Sequence, residues 1–239
     1  MTHPFTGVTV LDLTQIYNGP YATFLLAQGG ADVIKIEPPG GEHLRKRQGA
    51  SGAAMPFAML NANKKTMTLN LKSPQGREVL LKLVPQADVL VENFAPGVME
   101  RLDLGIDVLH AANPRLICAA GSGYGRTGPR AAEPGYDYVI QAEAGLMSFT
   151  GEVEGEPMKA GVAVADLFTG MAAAQAILAA VIAQQRDGLG QHIDMALFDC
   201  QLAMLANIGS SVLVSGDEPR RYGNGHPTVV PYQLFKTSD

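Results

Sequence analysis

The chain has 239 residues, 46% of them hydrophobic and only 17% charged. That balance excludes a disordered chain and provides for a well-buried core, at a length that suits one large domain or a large domain with part of another. The net charge of −5 divides into +4 over residues 1–82 and −9 over 83–239, which points to a local anionic ligand rather than a nucleic-acid surface, or to a solvated face with chance clustering.

The N-terminal segment "MTHPFTGVTVLDLT" has no basic run followed by an apolar one, so no secretory signal is expected and the protein is read as cytoplasmic. "GVTVLDL" (7–13) reads as a buried strand, "GPYATFLLAQGG" (19–30) as a helix closing at glycines, and "ADVIKIE" (31–37) as a second strand. Together they open the chain with a β-α-β unit. "SPQGREVLLKLVPQ" (73–86) is a helix with a Ser N-cap and Pro at its first position. "ADVLVEN" (87–93) is a strand, "APGVMERLDL" (95–104) starts a short helix, and "PRLICAAGSGYG" (114–125) is a strand running into glycines. The alternation predicts an α/β fold, a doubly wound, Rossmann-like parallel sheet.

Residues 161–165 look β-like, and a long Ala-rich helix follows Asp166, ending near "RDGLG" (186–190). "QHIDMAL" (191–197) is a strand or a strand-to-helix start, and "FDCQLAMLANIGSSVLVSG" (198–216) reads as one helix. The turn-rich remainder reads as a linker, giving a large domain over 1–215 and a linker over 216–239. No stretch of roughly 20 apolar residues lacks a charge or turn signal, so no membrane span is expected. Cys118 and Cys200 sit in apolar contexts and read as buried, reduced thiols. The five histidines have no ligand-like spacing, and no metal site is expected.

Ligands of such sheets bind at the carboxyl edge, which directs attention to the loops after Leu13, Ile36, Val91, Ala120 and Ala165. A dinucleotide fold needs G-x-G-x-x-G after the first strand. "TQIYNGPYAT" supplies only Gly19, so NAD binding is not expected. Asp166 is a lone carboxylate in an apolar run, which costs several kcal/mol unless compensated. It reads either as a helix N-cap or as an ionised, poorly solvated nucleophile toward a thioester or ester.

The chain resembles the class III CoA-transferases, the group that also includes the α-methylacyl-CoA racemases. The resemblance runs along nearly the whole chain, through "GVTVLDLTQIYNGPYATFLLAQGGADVIKIEPPGGEHLR", "LNANKKTMTLNLKSPQG", "ADVLVENFAPGVMERLDLG", "NPRLICAAGSGYGRTGP", "PGYDYVIQAEAGLMSFTG", "AVADLFTGM", "RDGLGQHIDMALFD" and "YGNGHPTVVPYQLF". It implies that Asp166 attacks an acyl-CoA thioester and passes through a mixed anhydride and an aspartyl-CoA thioester before CoA reaches an acceptor acid. Acyl-CoA, or coenzyme A itself, is then the substrate, with a carboxylic acid as partner. Tyr17 matches an active-site loop position that is glutamine in formyl-CoA transferase, a departure that argues against formate and oxalate chemistry. Tyr136 and Asp137 of "PGYDY" match another active-site segment.

For CoA, the resemblance points to Leu69, Asn70 and Lys72 of "LNLK", to Asn93 and Phe94 of "ENF", and to Arg101. An apolar, stacking wall suits adenine, and Lys or Arg suits phosphates. Arg45, Lys46 and Arg47 read either as further phosphate partners or as a solvated charge run, while Pro38 stands where some members place an arginine. The related racemases carry "GHD" where this chain reads "GYD", and a tyrosine of pKa near 10 is a poor general base. Transfer is therefore favoured over racemisation, and the resemblance of "PGYDYVIQAEAGLMSFTG" and "GNGHPTVVPYQLF" to transferases of short dicarboxylates implies that acceptor class. Members of the family continue into a small domain and return, two chains interlocking as a homodimer. By that resemblance most of the small domain lies outside these residues, which leaves open a CoA-binding fragment without transfer activity.

Overall fold

Side chains alternate across a strand, so β1 (Thr9–Asp12) sends Val10 to one face of its sheet and Leu11 to the other. The elements continue with α1 (Asn18–Gln28), β2 (Asp32–Glu37), α2 (Met55–Asn61), β3 (Lys65–Thr68), α3 (Pro74–Leu83), β4 (Val89–Glu92), α4 (Val98–Arg101), α5 (Ile106–Ala112) and β5 (Ile117–Ser122). Then come α6 (Asp137–Glu143), α7 (Val164–Asp187), β6 (His192–Ala196), α8 (Leu197–Met204) and α9 (Ala206–Ser215). The structure, a computed structural model, describes residues 3–47, 49 and 52–239. Its strands pair in parallel in the order β3-β2-β1-β4-β5-β6, the doubly wound arrangement the alternation predicts.

One face of the sheet buries Val10, Val33, Val89 and Ile117 against Leu26 of α1 and Ile177 and Val181 of α7. The opposite face buries Leu11, Ile36 and Leu90 against Leu80 of α3, Met99 of α4 and Leu109 of α5. Cys118 and Cys200 are buried free thiols, and burial pushes Cys118 up to about 12. The predicted cap of α3 forms: Ser73 Oγ accepts from the Gly76 N–H at 3.1 Å, with Pro74 at the first helical position. Ser73→Ala is expected to lower the urea midpoint by the equivalent of about 1 kcal/mol. An unchanged midpoint would assign the turn to Asn70 instead, whose carbonyl accepts from the Ser73 N–H at 2.9 Å.

Three expectations are corrected. Residues 161–165 form no strand: the Val164 N–H bonds to Val162 O at 2.9 Å instead of to the sheet, and α7 begins at Val164. The sheet position beside β5 is taken by β6, so this run finds no ladder to join. The helix expected over 198–216 is two helices, α8 and α9, bent by 84°. Ala206 at φ 49 turns the chain there out of the right-handed helical path. Finally, α7 is long and apolar enough to cross a membrane by length and composition, because residues 167–185 carry no charge. Within this fold its inward face, from Ala165 to Gln184, is buried in the protein.

Beneath the sheet edge lies a buried ionic network. Lys64 Nζ lies 2.9 Å from Asp12 Oδ2, both side chains fully buried, and Thr23 Oγ1 donates to the same oxygen at 2.7 Å. Burial alone would raise the Asp12 carboxyl, but Lys64, Lys35 and the hydroxyls of Thr14 and Thr23 hold it down to about 2. Lys64 also donates to Pro20 O at 3.0 Å, and Lys35 to Thr14 O at 2.8 Å. Lys35 thereby pins the loop between β1 and α1, and Lys64 joins the end of β1 to the first turn of α1. After Gly216 the described residues form turns and extended segments, tied back where Arg221 Nε donates to Glu152 O at 3.1 Å.

Candidate active site

In a doubly wound sheet the strand order reverses between its two halves, and the loops diverge there to leave a crevice. Here the reversal falls between β1 and β4, and two loops are stitched across it. Asn93, just past β4, accepts from the Gln15 N–H at 2.8 Å and donates to Gln15 O at 2.7 Å. Asn93 Nδ2 also donates to Asn18 Oδ1 at 3.0 Å, and Asn18 Nδ2 donates to Asp166 Oδ1 at 2.9 Å. The start of α7 comes this close to α1 because Gly170 has no side chain: a Cβ there would lie 2.6 Å from Asn18 O.

Asp166 is 7% exposed and occupies the first turn of α7. It is not the N-cap: Ala163 holds that position. The cap comes from another element, since Asp137 Oδ1 accepts from the Asp166 N–H at 3.1 Å. Burial pushes the Asp166 carboxyl up to about 6, with Asn18 hydrogen bonds opposing and the Asp137 charge adding. It is therefore largely ionised at neutral pH, yet poorly solvated.

Asp166 lies in the wall of a cleft of about 270 Å³ together with Gln15, Asn18, Asn93, Phe94, Ser122 and Tyr136. The backbones of two cleft loops touch at Gly123 and Gly135, where an added Cβ would meet the other glycine's Cα at 2.6 Å. A second cleft of about 610 Å³ is lined by Leu69, Asn70, Lys72, Phe94, Pro38 and Glu42 among others. Gln15 and Phe94 line both, so the two clefts adjoin at the switch point.

Of the residues predicted from sequence, Asp166, Asn93, Phe94 and Tyr136 meet at the first cleft, and Leu69, Asn70, Lys72 and Phe94 at the second. Tyr136 is 69% exposed at the N-cap of α6, whereas Asp137 lines neither cleft and turns to α7 and to Gln141 Nε2 at 2.6 Å. Tyr17 caps α1 and Arg101 lies exposed on α4, and neither lines these clefts. Arg45, weighed as a phosphate partner, is engaged in a bidentate pair with Glu37 at 2.6 and 2.7 Å. Among the described residues no group of three or more His, Cys, Asp and Glu could hold a metal ion.

Sequence reading missed Gln15, Asn18, Ser122 and Glu42. Ser122 Oγ and Glu42 Oε2 are buried with no hydrogen-bond partner among the described residues. Ile16, beside them in the cleft wall, carries a local signal of strain, a β-branched residue at φ 67 held by Glu42 Oε1 at 3.0 Å from its N–H. Only contacts made after folding single out the others.

A buried carboxylate at a helix start thus stands at the switch point of a doubly wound sheet whose first turn lacks the glycines of a dinucleotide site. Residues 5–239 match CoA-transferase family III, and the chain belongs to that family. It is 44% identical over 245 residues to the succinate–glutarate CoA-transferase of Agrobacterium fabrum, covering 99% of this chain and 61% of that protein. It is 39% identical over 239 residues to the succinyl-CoA:glutarate CoA-transferase of Homo sapiens, covering 99% of this chain and 55% of that one. A CAIB/BAIF family protein from Brucella suis superposes with a TM-score of 0.93 at 42% identity, over 100% of this chain and 65% of its own. The chain thus spans between about half and two-thirds of the length of these relatives.

Proposed function

We propose that the protein moves CoA from an acyl-CoA donor to a carboxylic acid, a short dicarboxylate being the acceptor class, through a covalent intermediate on Asp166. The observation that carries this reading is the Asp166 carboxylate, 7% exposed, in the wall of a cleft that adjoins a larger one. An ionised carboxylate stripped of water is a competent nucleophile toward a thioester. Its attack expels the CoA thiolate and leaves a mixed anhydride. Return of the thiolate to the aspartyl carbonyl releases the donor acid and forms an aspartyl thioester. The acceptor carboxylate attacks that thioester next, and the thiolate then attacks the acceptor's carbonyl, regenerating Asp166.

The larger cleft suits CoA: Phe94 and Leu69 offer an apolar wall, while Lys72 offers a charge partner for phosphate. Relatives named for succinate and glutarate support the dicarboxylate acceptor. A homodimer belongs to the same reading, supported by apolar side chains left in solvent, Leu213 at 88% and Val230 at 91% exposure.

Hydroxylamine trapping during incubation with succinyl-CoA, followed by mass mapping of residues 158–186, tests the proposal. A hydroxamate on Asp166 is the expected result, and its absence would overturn the nucleophile. Phe94→Ala is expected to raise the KM for acyl-CoA about tenfold through loss of apolar contact. An unchanged KM in that variant would move CoA out of the larger cleft.

A further inference from the structure

The side-chain amide on Asp166 Oδ1 belongs to Asn18, at 2.9 Å, and its orientation follows from the backbone. A backbone N–H can only donate and a carbonyl can only accept. Asn93 Oδ1 faces the Gln15 N–H and Asn93 Nδ2 faces the Gln15 carbonyl, at 2.8 and 2.7 Å, so the Asn93 amide has a single arrangement. Its Nδ2 also meets Asn18 Oδ1 at 3.0 Å, which turns Asn18 Nδ2 toward the carboxylate. The polarity of one residue's backbone groups is thereby relayed through two amides to one oxygen of Asp166.

We infer that Asn18 is a catalytic residue of the transfer reaction and Asn93 its positioning residue: Asn18 holds Oδ1 so that Oδ2 attacks the thioester, and the same N–H then takes the charge that develops on Oδ1 when thiolate attacks Cγ. The inference rests on the reading of Asp166 as the nucleophile. In that second step a sulfur–Cγ bond forms and the bond from Cγ to the bridging oxygen breaks. The donor acid leaves as a carboxylate with the electron pair, and no proton or redox partner takes part. A donor already in place at the developing oxyanion needs no reorganisation.

The relay is separable from other influences on Asp166. Asp137 of α6 accepts from the Asp166 N–H, and Glu133 and Tyr136 line the same cleft. Tyr17 and Tyr21 lie on the α1 side, Tyr21 packing at Gly170. From α8, which packs against α7, come Asp199 and the buried Cys200. Among the described residues none of these hydrogen-bonds the Asn18 or Asn93 side chain.

The test is the titration of the Asp166 side chain, read by carbon-13 NMR of aspartate-labelled chain and assigned with Asp166→Asn. Asn18→Ala is expected to raise the midpoint by about one pH unit, because a hydrogen bond to the charged form is lost. Asn93→Ala should move it the same way by less, since Asn18 is then free to turn over. In transfer assays with succinyl-CoA, Asn18→Ala should lower kcat by about a hundredfold, with KM within about twofold and the acid limb displaced to higher pH. An unchanged Asp166 titration overturns the relay even if the rate falls, and the Asn93→Ala titration decides the matter should Asn18→Ala fail to fold. A displaced titration without an Asp166 hydroxamate in the wild type overturns the catalytic assignment through the nucleophile, a distinguishable failure.

Discussion

Asp166→Ala is expected to lower CoA transfer by about four orders of magnitude or more while CoA binding stays within a few-fold of wild type. The larger cleft is built from segments that follow β1, β2, β3 and β4, and Asp166 does not line it, so binding and chemistry are separable at this position. Asp166→Asn should be equally inactive and, at pH 7.5, more stable than wild type. The sign follows from burial, which lifts the carboxyl from 3.8 to about 6. The folded protein then binds a proton at Asp166 more tightly than the unfolded chain does. The stability this group contributes is present in full below about pH 4 and is lost as pH rises through 6. An amide at 166 removes that loss, by at most about 3 kcal/mol. Thermal melts of both proteins between pH 4 and 8 measure it. The converse outcome, a variant less stable than wild type at pH 7.5 that loses CoA binding together with transfer, would return Asp166 to a structural role.

Lys64→Met should destabilise the fold by about 3–5 kcal/mol, because it leaves a charged Asp12 buried without its partner. Both side chains are fully buried, and Lys64 is foremost among the groups that hold Asp12 down to about 2 against its burial, so without the lysine the carboxylate is either charged without its partner or protonated at a cost. Its contribution is present above the ordinary carboxylate range and is lost only as pH falls through about 2. The same lysine donates to Pro20 O at 3.0 Å and to Asn61 Oδ1 at 2.9 Å. The loop that presents Gln15 and Asn18 therefore loosens with it, and transfer should fall alongside stability. Replacing both partners, Asp12→Leu with Lys64→Met, should recover part of the stability, since it removes the unpaired Asp12 charge and leaves buried Lys35 on Thr14 O. Urea unfolding of the single and double variants closes the cycle. A loss below about 1 kcal/mol in Lys64→Met would show that Asp12 finds another cation, with Lys35 the nearest candidate.

Local patterning carried most of the architecture and one end of the site. Period-two apolar runs placed β1, β2, β4 and β5 within a few residues, and Ser73-Pro74 placed the start of α3, because strand burial and helix capping are written in neighbouring residues. Asp166 stood out for the same reason, as a lone carboxylate in an apolar run, and the family's motifs ran along the chain in order. What surrounds Asp166 was decided only on folding. Asn18 and Asp166 are 148 residues apart in sequence, and Gln15 and Asn93 are 78 apart. Their hydrogen bonds exist because a parallel sheet brings the ends of β1 and β4 side by side and Gly170 lets α7 approach α1. The same holds where expectation failed. Residues 161–165 have strand-like side chains but no sheet edge to pair with, and Arg45, weighed as a phosphate partner, spends its guanidinium on Glu37. By itself the sequence determined which segments are strands and helices and which carboxylate is out of place, since those follow from side-chain periodicity. The tertiary structure alone decided which polar groups meet, because hydrogen-bond partners are set by distances that no local pattern encodes.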